Sequence, residues 1–317
     1  MAEDNFQAYT QKVFDLYHQR EYALALEQAL EAEKRFPERP WDTTFWIACL
    51  NSLLGRKEEA IKQLAEGLKR GVWWGPKMLQ RETDFDNIRN EPGFRDVMKR
   101  CEEIYSEARR NSRPECQICH PAKFSLDSET PLFMTLHWRF DNAAQFSAYW
   151  EKPVLQRNYL LAVPQSSQIT GSNKYCWDDA DAAWSEIRTH LQQMGKSYRI
   201  DWRQSIIAGA CQGARLALET ALEDIPQEMQ RVLMVLPALG DVNRLVAQLE
   251  NCCSKRLRGY IITGSRDSYL DETKKLFEET ERLKLPFEIE IIEGLGHAFP
   301  EDFDFYLNNA LFFLSQD

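Results

Sequence analysis

Gly-Ala-Cys-Gln-Gly, residues 209 to 213, lies where the apolar run SIIAGAC ends and a helical pattern begins. Ala214, Ala217, Leu218, Ala221 and Leu222 follow the i, i+3, i+4, i+7, i+8 spacing of one buried helix face. No loop residues separate the two elements, so the chain must turn within the pentapeptide itself. A strand-to-helix turn with small residues two positions to either side of its centre is a nucleophile elbow, which holds the central residue in a strained conformation. The central residue is Cys211. A thiol at a helix N-terminus beside a histidine is favoured as the thiolate, the form that attacks acyl carbon.

A nucleophile of this kind needs a base and a group to orient it. Asp267, in ITGSRDS, follows the end of one strand-like run, and His297, in IEGLGHAFP, follows the end of the last one. Asp267 would hold the orientation of the histidine and stabilise its charged form. Asp241, after RVLMVLPAL, and Asp271, just downstream, are rivals for that acidic position.

These residues need strands to deliver them. Apolar β-type runs occur at PLFMTLHW (131 to 138), NYLLAVPQ (158 to 165), SIIAGAC (205 to 211), RVLMVLPAL (231 to 239), RGYIITGS (258 to 265) and FEIEIIEG (287 to 294). Helical stretches lie between most of them, clearest in DAAWSEIRTHLQQM and DETKKLFEETERLK. Buried strands alternating with amphipathic helices imply an α/β domain with a mostly parallel sheet covered on both faces, expected over residues 113–317.

Residues 1–112 carry helical periodicity and almost no strand signal, so an all-α domain is expected first. FWIACLNSLLGRKEEAIKQLAEGLKRG, from Phe45 to Gly71, resembles a tetratricopeptide repeat with its turn at Gly55. EYALALEQALEAEKRFPERP reads as the second helix of a preceding repeat, and a looser unit runs from Gly71 to Tyr105. So short an array would rest as a cap on another domain, or offer a groove to a protein partner.

The order nucleophile, acid, histidine, each after a strand, resembles an α/β-hydrolase of the carboxylesterase and dienelactone-hydrolase-like group. LHWRFDN, residues 136 to 142, resembles the oxyanion loop Leu-His-Gly-x-Gly-x-Asn of that group. Gln212 matches the glutamine that often follows its nucleophile, and Gly296-His297 its C-terminal Gly-His. The resemblance implies a Cys211, Asp267, His297 triad that hydrolyses esters, thioesters or lactones through an acyl-cysteine, without metal or organic cofactor. It places the oxyanion donors in the backbone amides of Gln212 and of the loop at Trp138 and Arg139. His137 is then structural. Two departures stand out. Cysteine replaces the usual serine, as it does in dienelactone hydrolases, and Trp138 and Phe140 replace glycines whose backbone freedom they lack. The second departure motivates an alternative: a hydrolase-fold scaffold without catalysis, binding a protein partner through its helical part.

The remaining features set bounds. A formal charge of -10 argues against nucleic acid as a partner. No run approaches the roughly 20 apolar residues of a membrane span, and the start, MAEDNFQAYTQK, has no basic-then-apolar leader pattern, so a cytoplasmic protein is expected. Eight cysteines in 317 residues are too sparse for a disulfide scaffold. CQICH, from Cys116 to His120, has the spacing of a haem-attachment motif, but it falls where a first strand is expected and reads as structural. No second ligand pair supports zinc there. Cys252 and Cys253 read as an ordinary helix end. KYCWDDADAAW enters a helix through an Asp near its N-cap, and Trp177 within it is a candidate wall of the acyl pocket.

Overall fold

The computed structural model describes residues 6–223, 229–251 and 257–316. The pair Cys252 and Cys253 lies outside the described residues. The chain divides into two compact units, one comprising residues 1–112 with 169–173, the other 113–168 with 174–317.

The first unit is built from α1 (Phe6–His18), α2 (Tyr22–Arg35), α3 (Pro40–Leu53), α4 (Lys57–Lys69), α5 (Pro76–Arg81) and α6 (Pro92–Asn111). Helices α1 to α4 each pack on the next, and α4 packs on α6. Fully buried Ala25, Ala29, Ala48 and Ala60 present short side chains that let helices approach closely. The turn between α3 and α4 falls at Gly55, whose φ of 75° is the left-handed conformation glycine reaches without a Cβ penalty. After α4 the helical pattern breaks at Trp73 and Trp74. The Trp41 indole donates to the Trp73 carbonyl at 3.1 Å and the Trp74 indole donates to the Trp41 carbonyl at 3.2 Å, which locks this bend onto α3. Trp74 also bridges Gly171, an irregularity that helical periodicity does not encode.

In the second unit the elements run β1 (Glu115–Cys119), β2 (Leu132–Leu136), α7 (Ala143–Ser147), α8 (Glu151–Gln156) and β3 (Leu160–Gln165). The short strands β4 (Ile169–Gly171), grouped with the first unit, and β5 (Lys174–Tyr175) follow. The chain continues through α9 (Ala180–Ser197), β6 (Ile206–Ala210), α10 (Gln212–Leu222), β7 (Arg231–Val235), α11 (Val242–Asn251), β8 (Arg258–Gly264), α12 (Leu270–Arg282), β9 (Phe287–Ile292) and α13 (Phe303–Leu314).

Among the described residues, seven strands form one sheet in the order β1-β3-β2-β6-β7-β8-β9. All neighbours are parallel except β1, which runs antiparallel to β3 at the edge. Side chains alternate between two cores, as a pleat buried on both faces requires. On β2, Leu132, Met134 and Leu136 enter one core and Phe133 the other; on β6, Ile207 opposes Ile206, Ala208 and Ala210. The first core is closed by α9, α10, α11 and α12, the second by α7, α8 and α13. The sequence runs at 131, 158, 231, 258 and 287 all contain strands, each shorter than its apolar run. Among the described residues no helix is long and apolar enough to cross a membrane.

Strand β1 also settles CQICH. Cys116 and Cys119 are three residues apart on one strand, so they point to opposite faces: Cys116 packs on the first core and Cys119 on the second. They cannot share one ligand. His120 instead packs on the Phe124 ring, centroids 4.5 Å apart.

Candidate active site

Parallel register brings the carboxyl ends of β2, β6, β8 and β9 to one edge of the sheet, with Leu136 beside Gly209 and Gly264 beside Ile292. Trp138, Cys211, Asp267 and His297 follow those ends in turn, on the edge where open α/β sheets bind ligands.

The elbow is as tight as its sequence requires. Cys211 has φ 53° and ψ −117°, a conformation that costs a non-glycine residue about 1–3 kcal/mol. Its N–H donates to the Val235 carbonyl at 3.1 Å, and its carbonyl accepts from Ala214 and Ala238, both at 3.2 Å. These bonds hold the turn in place. A Cβ on Gly209 would collide with the backbone of Gly213, and one on Gly213 would collide with the Leu136 carbonyl and lie 2.7 Å from that of His137. The two glycines therefore let α10 start against both its own strand and the end of β2. Cys211 is half-buried, and Gln212 and Gly213 follow it as the first residues of α10, whose leading N–H groups have no partner within the helix.

Asp267 has no exposed side-chain surface and presents both carboxylate oxygens to His297 Nδ1, each at 3.1 Å. Its Oδ1 accepts from the Tyr269 N–H at 2.9 Å and its Oδ2 from the Thr263 hydroxyl at 3.4 Å, so the carboxylate is fixed from three directions. An acceptor on Nδ1 places a proton there and leaves Nε2 for a second partner; Cys211 is the other side chain whose interaction raises the His297 pKa. Of the rival acids, Asp241 accepts from the Arg244 N–H at the start of α11, and Asp271 lies in the first turn of α12.

Burial works to lower the pKa of His297, but hydrogen bonds to Asp267 and Cys211, with their charges, outweigh it and raise the value to about 9. The charged pair therefore stabilises the fold fully below pH ~6.5 and loses that contribution as the pH rises through about 9. Asp267→Asn should bring the His297 titration well below 9, because burial stays while the carboxylate charge goes. Thermal stability should fall relative to the parent at pH 6 and converge with it at pH 10. Proton NMR of the imidazole Cε1–H reads the first effect and melting curves the second; an unmoved titration would contradict the assignment.

Phe140, in the loop after β2, has φ 64°, a value rare for an aromatic residue and in the left-handed region that favours glycine. Its N–H donates to the Tyr175 carbonyl at 2.8 Å, and the Tyr175 N–H donates to the Asp141 carbonyl at 3.0 Å. Arg139 lies over the Phe140 ring at 4.8 Å. The Trp138 indole donates to Asp141 at 2.8 Å, and its ring lies against Phe299 and His297, centroids 5.0 and 6.3 Å apart. His137 is fully buried and, by that burial, held neutral with a pKa of about 4, against the weaker pull of the Trp138 carbonyl. Its Nδ1 donates to that carbonyl at 2.8 Å.

Trp177, the candidate pocket wall, has no exposed surface. Its ring stacks on His137 at 4.7 Å and its indole N–H donates to the His137 carbonyl at 2.8 Å, so it props the loop from inside the core. Asp179 accepts from the Ala182 N–H and caps α9, as the sequence indicates. Two neighbours of the site escaped the sequence. Tyr269 places its ring 5.2 Å from His297 and feels the charge of Cys211, and Asp178 contacts both Gln212 and Arg139. A hydroxyl or carboxylate that reaches a site through the fold leaves no mark in local spacing.

Among the described residues, Cys49, Glu82 and Asp84 are the one group whose donor atoms lie within reach of a shared ion, and they belong to the helical unit. Two of their oxygens are already used: Asp84 accepts from the Tyr17 hydroxyl at 2.8 Å, and Glu82 accepts from the Asp84 N–H at 3.2 Å, capping a short turn.

Residues 8–109 match the family described as A/B hydrolase-like, N-terminal domain. No curated protein matches the sequence. Among solved structures, an uncharacterized protein from Bacillus cereus ATCC 10987 is 25% identical, with a TM-score of 0.56 over 97% of this chain and 98% of that one. Esterase PE8 is 16% identical, with a TM-score of 0.54 over 64% of this chain and 99% of its own. The chain therefore has an α/β-hydrolase fold, preceded by a helical segment that matches the family described as A/B hydrolase-like, N-terminal domain.

Proposed function

We propose that the protein hydrolyses carboxylic esters, thioesters or lactones through an acyl-Cys211 intermediate. One observation carries this reading: a cysteine at a strained elbow, on the same sheet edge as a histidine whose Nδ1 is held by a buried carboxylate. The structural likeness to esterase PE8, itself an esterase, accords with the bond class.

The chemistry follows from the residues. Transfer of the Cys211 proton to His297 gives the attacking thiolate. The thiolate attacks the acyl carbon, and the carbonyl oxygen takes up the negative charge. The backbone N–H of Gln212 and one from Trp138 or Arg139 receive that charge, donors worth about a hundredfold or more each in acyl-transfer enzymes. When the carbon–oxygen or carbon–sulfur bond breaks, His297 gives its proton to the leaving group. The neutral imidazole then takes a proton from water, the hydroxide attacks the thioester, and the carboxylic product leaves with thiolate and imidazolium restored. Asp267 keeps the ring oriented throughout.

Steady-state turnover across a panel of short-acyl esters, thioesters and lactones tests the reading, and no turnover on any of them would overturn it. A second reading, a scaffold that binds a protein partner through the helical part, draws on the exposure of Phe14, Leu24 and Leu30 on α1 and α2. Capture of a partner by a protein inactive on the whole panel would favour it.

A further inference from the structure

The two proposed sources of oxyanion-hole amides lie far apart in sequence: the loop at Trp138 and Arg139 follows β2, and Gln212 opens α10. Stabilising a developing oxyanion requires both donors at about 2.7–3.1 Å from one point, so their separation must be fixed before reaction. The segment Tyr175 to Asp178 touches both sides. On the loop side, its Tyr175 carbonyl accepts from the Phe140 N–H at 2.8 Å, and the Trp177 indole donates to the His137 carbonyl at 2.8 Å. On the elbow side, the Trp177 N–H donates to Gln212 Oε1 at 3.1 Å. Asp178 completes the bridge with one oxygen for each side: Oδ1 accepts from Gln212 Nε2 at 2.8 Å and Oδ2 from Arg139 Nη2 at 2.9 Å.

We infer that Asp178 is a positioning residue that sets the spacing of the oxyanion donors through Gln212 and Arg139; this rests on the acyl-cysteine reading. Its own backbone is anchored. Gln168 accepts from the Asp179 N–H at 2.7 Å and donates to the Asp179 carbonyl at 2.9 Å, which holds the residue directly after Asp178. The carboxylate is exposed, so its arm to Arg139 is weakened by salt, whereas the backbone contacts of Tyr175 and Trp177 are not.

The test compares two reactions of the full-length protein. Ester turnover needs the oxyanion site, but alkylation of Cys211 by iodoacetamide proceeds at saturated carbon and needs only the sulfur. Asp178→Ala should lower kcat about tenfold or more with KM little changed, because the lost interaction acts in the transition state. The rate of Cys211 alkylation should stay within about twofold of the parent. Asp178→Glu, which keeps both oxygens, should recover part of the loss, and Asp178→Asn, which turns one acceptor into a donor, should not. Unchanged turnover in Asp178→Ala, or an equal fall in alkylation and turnover, would overturn the inference. A parent protein that is alkylated at Cys211 yet hydrolyses nothing would instead mark the failure of the acyl-cysteine reading.

Discussion

His297→Ala should lower kcat/KM for any ester the protein hydrolyses by about a thousandfold or more, with the fold intact. The imidazole serves twice, donating to the leaving group and accepting from water, and loss of one member of such a set costs about as much as loss of all. The side chain is 27% exposed and lies in a loop after β9, so its removal leaves neither core with a large cavity. Cys211→Ala should match it, and the double variant should be no worse than either, because the two residues act as one unit. Initial rates at pH 7.5 on purified variants decide this. Residual turnover above about a tenth of the parent in either would remove His297 and Cys211 from the mechanism.

Gly213→Ala should be a strongly damaging substitution in the second unit. Alanine is the better helix former by about 1 kcal/mol, which taken alone would stabilise α10. The added Cβ, however, meets the backbone carbonyls of Leu136 and His137, which have no rotamer with which to withdraw. Either α10 moves away from β2 or the loop after β2 shifts. Overpacking against rigid atoms costs about 1–3 kcal/mol and often more, so a net loss of about 2 kcal/mol or more is expected, a fall in Tm of about 4–8 °C for a unit of this size. Activity should suffer more than stability, since the same movement separates Gln212 from Trp138. Differential scanning calorimetry with parallel turnover measurements tests both, and a variant as stable and active as the parent would refute the packing argument. Alanine at Gly55, with nothing within 4 Å of its Cβ, pays only for its left-handed φ.

The placement of Cys211, Asp267 and His297 was legible in the sequence because each lies directly after an apolar run, and parallel strands bring all such positions to one edge. Small residues around Cys211 were also visible, since a tight turn selects them by sterics alone. The neighbours that position the site were not. Asp178 and Trp177 reach Gln212 and His137 by hydrogen bonds across 34 to 40 residues, and nothing local distinguishes such an aspartate from a solvated one. Trp177 illustrates the limit from the other side: its segment offered it as a candidate pocket wall, but its full burial follows only from stacking on His137. Phe140 shows that a left-handed backbone position does not need glycine, which spacing alone would have required. A first strand was expected at CQICH, but its antiparallel pairing was hidden, since strand direction is not written in the composition of a five-residue run.

The most direct test of the central claim is intact mass spectrometry with peptide mapping after brief exposure of the protein to a short-chain activated ester and an acid quench. The account predicts a single added acyl group on the peptide carrying Cys211, labile on raising the pH and absent from Cys211→Ala. An acyl group on any other residue, or turnover of the ester with Cys211 never modified, would contradict it.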